Sequence, residues 1–241
     1  MKRIHKHLML AAIVLLASCG GGSGSSTLLF SSYDKNANAT NPDSVPAEIM
    51  LSFAVPQGNN AVATNIINAE RTIIAASRMA EELGAPEGNT LQTIADKYEE
   101  RFLGGMSSGD IAAPCVYQLQ IACSCQNAKA LTFSVTDGVY GNGGPQEYLR
   151  VVSLSDGRIM EREAITTMSE ADIIKLGKQY GDQSLKEFLA EMKPEDFWIA
   201  PDSAGCKVKL QTFGHFFADF TIPADNITPY LTNEGKALFG K

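Results

Sequence analysis

The order of residues at the N-terminus decides how much of this chain is free to take part in a fold. Lys2, Arg3 and Lys6 form a positive opening, Leu8 to Leu16 supply an apolar run too short to cross a bilayer, and Ala17 and Ser18 lead to Cys19. That order is a secretory signal over residues 1–18. Gly20 to Ser26 are all glycine or serine, and small polar residues continue through Ser31-Ser32 and Asn36 to Pro42. Residues 19–44 therefore read as a flexible tether with no core of its own, and folding is expected to start near Val45. Residues 45–241 remain, enough for one body with a sizeable core.

The stretch Leu16-Ala17-Ser18-Cys19 resembles the lipobox of bacterial lipoproteins. That resemblance implies a diacylglycerol thioether on Cys19, cleavage before it, and a mature chain whose first residue is the lipidated cysteine. Several acyl chains at ~0.8 kcal/mol per buried methylene hold a protein to a membrane without a transmembrane helix. The implied address is the cell envelope, on the periplasmic face of the outer membrane, with the membrane itself as a partner through the anchor.

Losing the signal takes Lys plus Arg from 20 to 17 against an unchanged 27 acids, so the mature chain carries about −10. Charge of that sign repels phosphates and excludes nucleic acid as a partner. It speeds encounter with a basic protein, or it simply keeps the chain soluble.

Thiols tend to pair outside the cytoplasm, and Cys115, Cys123, Cys125 and Cys206 remain as disulfide candidates. Cys123 and Cys125 stand two apart in an expected strand, on one face, so their mutual closure is strained and Cys206 is expected to take one of them. A four-thiolate zinc site fits poorly, because Cys-x-Cys lacks the usual Cys-x-x-Cys spacing. Free, buried cysteines are the remaining option.

Periodicity outlines the body. Glu48 to Val55 reads as a strand closed by Pro56-Gln57-Gly58. Val62, Ile66, Ala69, Ile73, Ala76, Ala80 and Leu83 predict one long helix ending at Gly84, and Leu91, Ile94, Tyr98 and Phe102 a second, stopped by Gly104-Gly105. Val116 to Cys125 and Ala130 to Val135 form an expected hairpin. A strand from Tyr148 to Leu154 turns at Ser155-Asp156-Gly157-Arg158 into a short return ending at Met160. Ser169 and Asp172 cap a helix that ends near Gly181, and Leu185, Phe188, Leu189 and Met192 stripe the next. Strands at Phe197–Ala200, Lys207–Thr212 and Phe216–Ile222 precede a short closing helix. The sum is an α+β fold, a mainly antiparallel sheet with helices packed on one face, in a single compact domain.

Candidate chemistry is sparse. Removing the signal also removes His5 and His7, leaving His215, which excludes multi-histidine metal sites and suits a structural role at a bend. No Gly-x-Ser-x-Gly elbow occurs. Glu161 with Glu163, and Glu195 with Asp196, are the nearest carboxylate pairs, and solvated charges at element ends account for them. Gly141-Asn142-Gly143-Gly144 lacks the Lys-Ser/Thr of a phosphate loop and reads as a turn. Trp198 and Phe197, with Phe213, Phe216, Phe217 and Phe220, supply either core or an aromatic binding surface. Asn38-Ala39-Thr40 and Asn226-Ile227-Thr228 match the asparagine-glycosylation pattern, and Asp43-Ser44-Val45 and Asp202-Ser203-Ala204 a bacterial O-glycosylation pattern; such short matches arise by chance. No catalytic residue, metal site or cofactor is expected, and no ligand-binding residue is assigned.

Several stretches resemble an extracytoplasmic family of unknown function. They are Ile49 to Pro56 with Asn65-Ile66-Ile67-Asn68, then Tyr140-Gly141-Asn142-Gly143-Gly144-Pro145, then Tyr148 to Leu154 with Ser155-Asp156-Gly157-Arg158. Phe197-Trp198-Ile199, Val208-Lys209-Leu210, Phe213 to Phe220, Ile222-Pro223 and Ile227 to Leu231 complete the order. The family is the one found in the lysozyme-sensing anti-sigma factor RsiV and beside the peptidoglycan deacetylase PdaC, with a 3298-like C-terminal part and a 4163-like N-terminal part. Its Ala-His after the paired glycines is Pro145-Gln146 here, and the glutamate usual in its last strand pair is absent around Gly214-His215. The resemblance implies a non-enzymatic binding or sensing module of the envelope, with a cationic protein such as lysozyme or cell-wall peptidoglycan as ligand. A peptidoglycan hydrolase and a structural envelope protein are the alternatives.

Overall fold

The structure, a computed structural model, describes residues 13–14, 28–141, 144–212 and 216–240. Cys19 and the charged residues of the N-terminal segment lie outside it, as do Asn142, Gly143, Phe213, Gly214 and His215.

The main sheet follows the chain with little rearrangement. Its strands are β1 (Ile13–Val14), β2 (Phe30–Thr40), β3 (Pro46–Pro56), β4 (Cys115–Gln126), β5 (Ala130–Tyr140), β6 (Gln146–Ser153) and β7 (Ile159–Met160), side by side in that order. All neighbours are antiparallel except β3 and β4, which run parallel because the helices α1 (Ala61–Ala75), α2 (Arg78–Leu83) and α3 (Leu91–Ser108) carry the chain back between them. Ile49, Leu51 and Phe53 of β3, Leu119 and Ile121 of β4, and Leu131, Phe133 and Val135 of β5 share the face those helices cover. The expected α+β fold with helices packed on one face is present.

The opposite face receives a second layer. β8 (Asp196–Asp202), β9 (Gly205–Thr212) and β10 (Phe216–Pro223) make a separate antiparallel sheet in the order β10-β9-β8. Phe197, Ile199, Val208 and Leu210 from it bury Ala130, Leu149 and Val151 of the main sheet. Ile173 and Leu176 of α5 (Glu170–Tyr180) and Leu185 and Leu189 of α6 (Gln183–Glu191) belong to the same core. Three short helices, α4 (Arg162–Ile165), α7 (Ala224–Ile227) and α8 (Asn233–Leu238), fasten the C-terminal part.

Four sequence expectations need correction. The tether reading of residues 19–44 fails over Phe30–Thr40, which pairs with β3 residue for residue from Phe30 opposite Pro56 to Thr40 opposite Pro46. Its core-facing side chains are Phe30 at one end, then Tyr33, Ala37 and Ala39 lying among Ser, Asp, Lys and Asn, so the alternation is faint and the ladder makes the strand. The single long helix is instead two. Ser77 donates its hydroxyl to the Ile74 carbonyl at 2.7 Å and accepts from the Ala80 N–H at 3.1 Å, ending α1 and starting α2. In α3 the chain passes through Gly104-Gly105 and stops at Gly109, whose φ of +83° is left-handed, because Met106 still has core to bury.

The expectation that Cys206 bridges to Cys123 or Cys125 fails on geometry. A bulge sets Cys123 opposite Phe133 and Cys125 opposite Thr132, consecutive residues of β5 that point to opposite faces, so the two cysteines do not share a side. Cys123 lies in the helix-side core and Cys206 in the core of the second sheet. Cys115, Cys123 and Cys206 are free thiols. Burial pushes the Cys123 thiol up to about 12 and Cys206 higher still.

Candidate functional site

β7 pairs only with Val151 and Val152, which leaves the first half of β6, from Gln146 to Leu149, as an open edge. The second sheet closes over that edge. Trp198 of β8 places its indole 5.9 Å from the Tyr148 ring, the planes tilted by 38°. Trp198 and Lys209 face each other across β8 and β9, and Lys209 Nζ forms an ion pair with Glu147, the neighbour of Tyr148. Two contacts thus pin the sheets together at the β6 edge, and a concavity opens on each side of them.

The first concavity, 410 Å³, lies between α2 and the edge and takes its walls from Arg78, Asp137, Gln146, Tyr148, Arg150 and Trp198. Local rules explain the placement. Gln146, Tyr148 and Arg150 alternate onto one face of β6, and Asp137 stands directly opposite Gln146 on β5. Phe197 turns the other way into the core under Arg162, whose guanidinium carbon sits 4.5 Å from its ring centroid, so Trp198 is the half-buried partner that faces the opening. Arg150 lies 4.7 Å above the Tyr148 ring, a cation on a π-face.

Asp137 is only 3% exposed. One carboxyl oxygen accepts the backbone N–H of Arg78 at 2.9 Å, and Oδ1 has no hydrogen-bond partner among the described residues. Burial holds its carboxyl above the usual carboxylate range, an effect that the N–H groups of Arg78 and Met79 partly offset. Glu81 and Glu82 stand exposed on the rim.

The second concavity, 460 Å³, is lined by Glu147, Asp182, Leu185, Phe188, Lys209 and Phe217 among others. Its one buried cation is already engaged by Glu147 and lies 5.9 Å from the Phe217 ring.

The remaining candidates from the sequence are dispersed. Asp196 and Glu163 both pair with Arg162, Glu195 accepts from Gln211, and Glu161 is the N-cap of α4 with no side-chain capping bond. Asn38 is in β2, Asn226 in α7 and Asp202 at the end of β8. No three His, Cys, Asp or Glu side chains among the described residues form a metal cluster. No helix among them is long and apolar enough to cross a membrane. Trp198 was legible as an aromatic candidate, whereas Arg78, Asp137 and Arg150 carry no motif; only the open β6 edge brings them together.

No family model and no curated protein matches the sequence. Solved structures do. The chain is similar to a DUF3298 family member from Bacteroides fragilis NCTC 9343, with a TM-score of 0.59 and 15% identity over 87% of this chain and 96% of that one. It is also similar to a DUF3298 family protein from Pseudomonas aeruginosa PAO1, with a TM-score of 0.53 and 11% identity over 87% and 97%. The fold is DUF3298-like.

Proposed function

We propose that this chain is a non-enzymatic binding module of the bacterial cell envelope, lipid-anchored through Cys19 on the periplasmic side, and that its cleft at the β6 edge binds cell-wall glycan. The observation that carries this reading is the half-buried Trp198, tilted against Tyr148 in a concavity walled by carboxylate, guanidinium and amide side chains. A flat aromatic face receives the apolar face of a sugar ring, and planar polar groups around it reach the ring hydroxyls. The RsiV- and PdaC-type resemblance and the N-terminal pattern support the envelope setting.

Trp198 is the only tryptophan, so its fluorescence reports on the cleft directly. Titration of the full chain with soluble peptidoglycan fragments should shift the emission, and Trp198→Ala should weaken binding about tenfold or more, equivalent to about 1.4 kcal/mol of lost ring contact. No spectral change and no heat at millimolar fragment removes the reading. Incubation with purified peptidoglycan should release no fragments; release would favour a hydrolase. Mass spectrometry of native material should find acyl chains on Cys19.

A second reading rests on charge. Glu81 and Glu82 make no ion pair among the described residues, and an acidic rim on an acidic body suits a cationic lysozyme-type protein. Calorimetric titration at low and moderate salt should then show heat that weakens as salt rises, and no heat at either salt discards it.

A further inference from the structure

We propose that the sugar held in this cleft is acidic, a pyranose carrying a carboxylate on its ring or on a short arm, with Arg78 and Arg150 as the groups that receive the charge. The proposal rests on the glycan reading above and narrows its substrate class.

The basis is a contrast among the cations. Arg158 pairs with Asp156 and Glu234, Arg162 with Glu163 and Asp196, and Lys35 with Asp96 and Glu99. Arg101 donates to the carbonyls of Leu83 and Gly84. Arg78 and Arg150, like Arg71 and several lysines, make no ion pair among the described residues, but of these only Arg78 and Arg150 line a concavity. Arg150 is half-buried, its guanidinium carbon lies over the Tyr148 ring, and no ion pair or hydrogen bond engages its N–H donors among the described residues. A guanidinium fork is matched by a carboxylate, which accepts two parallel hydrogen bonds.

The groups around it complete a site for an acidic ring. Trp198 offers the face on which a ring lies. Asp137 lines the same wall, its Oδ2 held by Arg78 N–H and its Oδ1 buried without a partner among the described residues, so its carboxyl shapes the wall while Trp198 and Arg150 make the contacts. Glu81 and Glu82 face the opening too and oppose an anion; like Arg78 they are exposed and act through water. The guanidinium on Tyr148 acts at contact distance in a half-buried setting, where direct pairing outweighs a screened rim.

The test uses Trp198 emission in the full chain with three disaccharides of the same ring size. Chitobiose is neutral, N-acetylglucosaminyl-N-acetylmuramic acid carries a lactyl carboxylate, and the methyl ester of the latter removes that charge without altering the protein. The acid should bind at least tenfold more tightly than the ester or chitobiose at low salt. Arg150→Gln and Arg78→Gln should each erase most of that preference, read within each variant as the ratio of acid to ester affinity. Equal affinity for acid and ester overturns the proposal and leaves the glycan reading intact. A preference that survives in both arginine variants also overturns it, since the charge would then be read elsewhere. No response to any of the three overturns the glycan reading and this proposal together.

Discussion

Glu70 provides a quantitative test of the main core. It lies on α1, fully buried, with Oε1 accepting the Ala54 N–H at 3.0 Å and Oε2 without a partner among the described residues. The reason for a carboxyl there is the end of a ladder. The parallel pairing of β3 with β4 stops at Phe53 opposite Ile121, so the next N–H on β3 would be orphaned, and Glu70 satisfies it. Burial pushes Glu70 well above its ordinary 4.5, with only the Ala54 hydrogen bond opposing. In the folded chain the group stays neutral where the unfolded chain has ionised it. Its contribution to stability is therefore complete below 4.5 and is lost as pH rises toward the folded-state value, with a slope of up to about 1.4 kcal/mol per pH unit.

Urea unfolding of the full chain across the range from about pH 5 to about pH 8 measures that slope. Glu70→Gln keeps an acceptor for Ala54 N–H, removes the ionisation, and buries amide donors at a cost of about 1–3 kcal/mol. The variant should be the less stable protein near pH 5. The deficit should shrink by up to about 1.4 kcal/mol per unit as pH rises, so the two curves meet within about one to two pH units. Asp137 is displaced in the same direction but is present in both proteins and cancels in the difference. Asp156, Glu163 and Asp172 are lowered by local hydrogen bonds; their contributions are held above their ordinary values and lost only as pH falls, below the window used. Parallel curves for the two proteins would refute the burial argument.

Phe133, fully buried at the centre of the helix-side core, should cost about 3–5 kcal/mol when cut to alanine, read as a lower urea midpoint at unchanged slope; a loss under about 1 kcal/mol would contradict its placement. Gly157 has a φ of +73°, and a Cβ there would meet the Asn65 carbonyl oxygen at 2.7 Å, so Gly157→Ala should lower Tm by several degrees while a surface control such as Lys193→Ala does not. Alkylation with mass detection should label half-exposed Cys115 in the folded chain, and Cys123 and Cys206 only after unfolding; rapid native labelling of Cys206 would place it outside its core.

Strong local patterns were readable. The capping box of Ser169 and Asp172 stands as expected, with the hydroxyl accepting Asp172 N–H and the carboxylate accepting from Ser169 N–H. The tight turn after β6 is there too, with Ser153 N–H bonded to the Arg158 carbonyl across Asp156-Gly157. Leu131, Phe133 and Val135 share the core face that alternation assigns them. The failures lie where long-range pairing overrides local preference. β2 is built from residues that favour turns and is held by a partner strand, and the α1–α2 break depends on where one buried serine finds its acceptors. Met192, assigned to a helix stripe, is 43% exposed because α6 ends one residue earlier, at Glu191.

The cleft was illegible for a related reason. Arg78, Asp137, Arg150 and Trp198 come from α2, β5, β6 and β8, and no spacing in the chain links them. What links them is the open half-edge of β6. An unpaired edge is a template for unwanted strand pairing, and proteins ordinarily cover it with charge or with another element. Here the cover is a second sheet attached at two points, Trp198 on Tyr148 and Lys209 on Glu147, on either side of which the surface is concave. Filling those hollows with apolar side chains would bury the edge more completely. The chain instead lines the one beside α2 with two arginines that make no ion pair and a carboxyl oxygen without a hydrogen-bond partner among the described residues, and on that polar lining the proposed ligand rests.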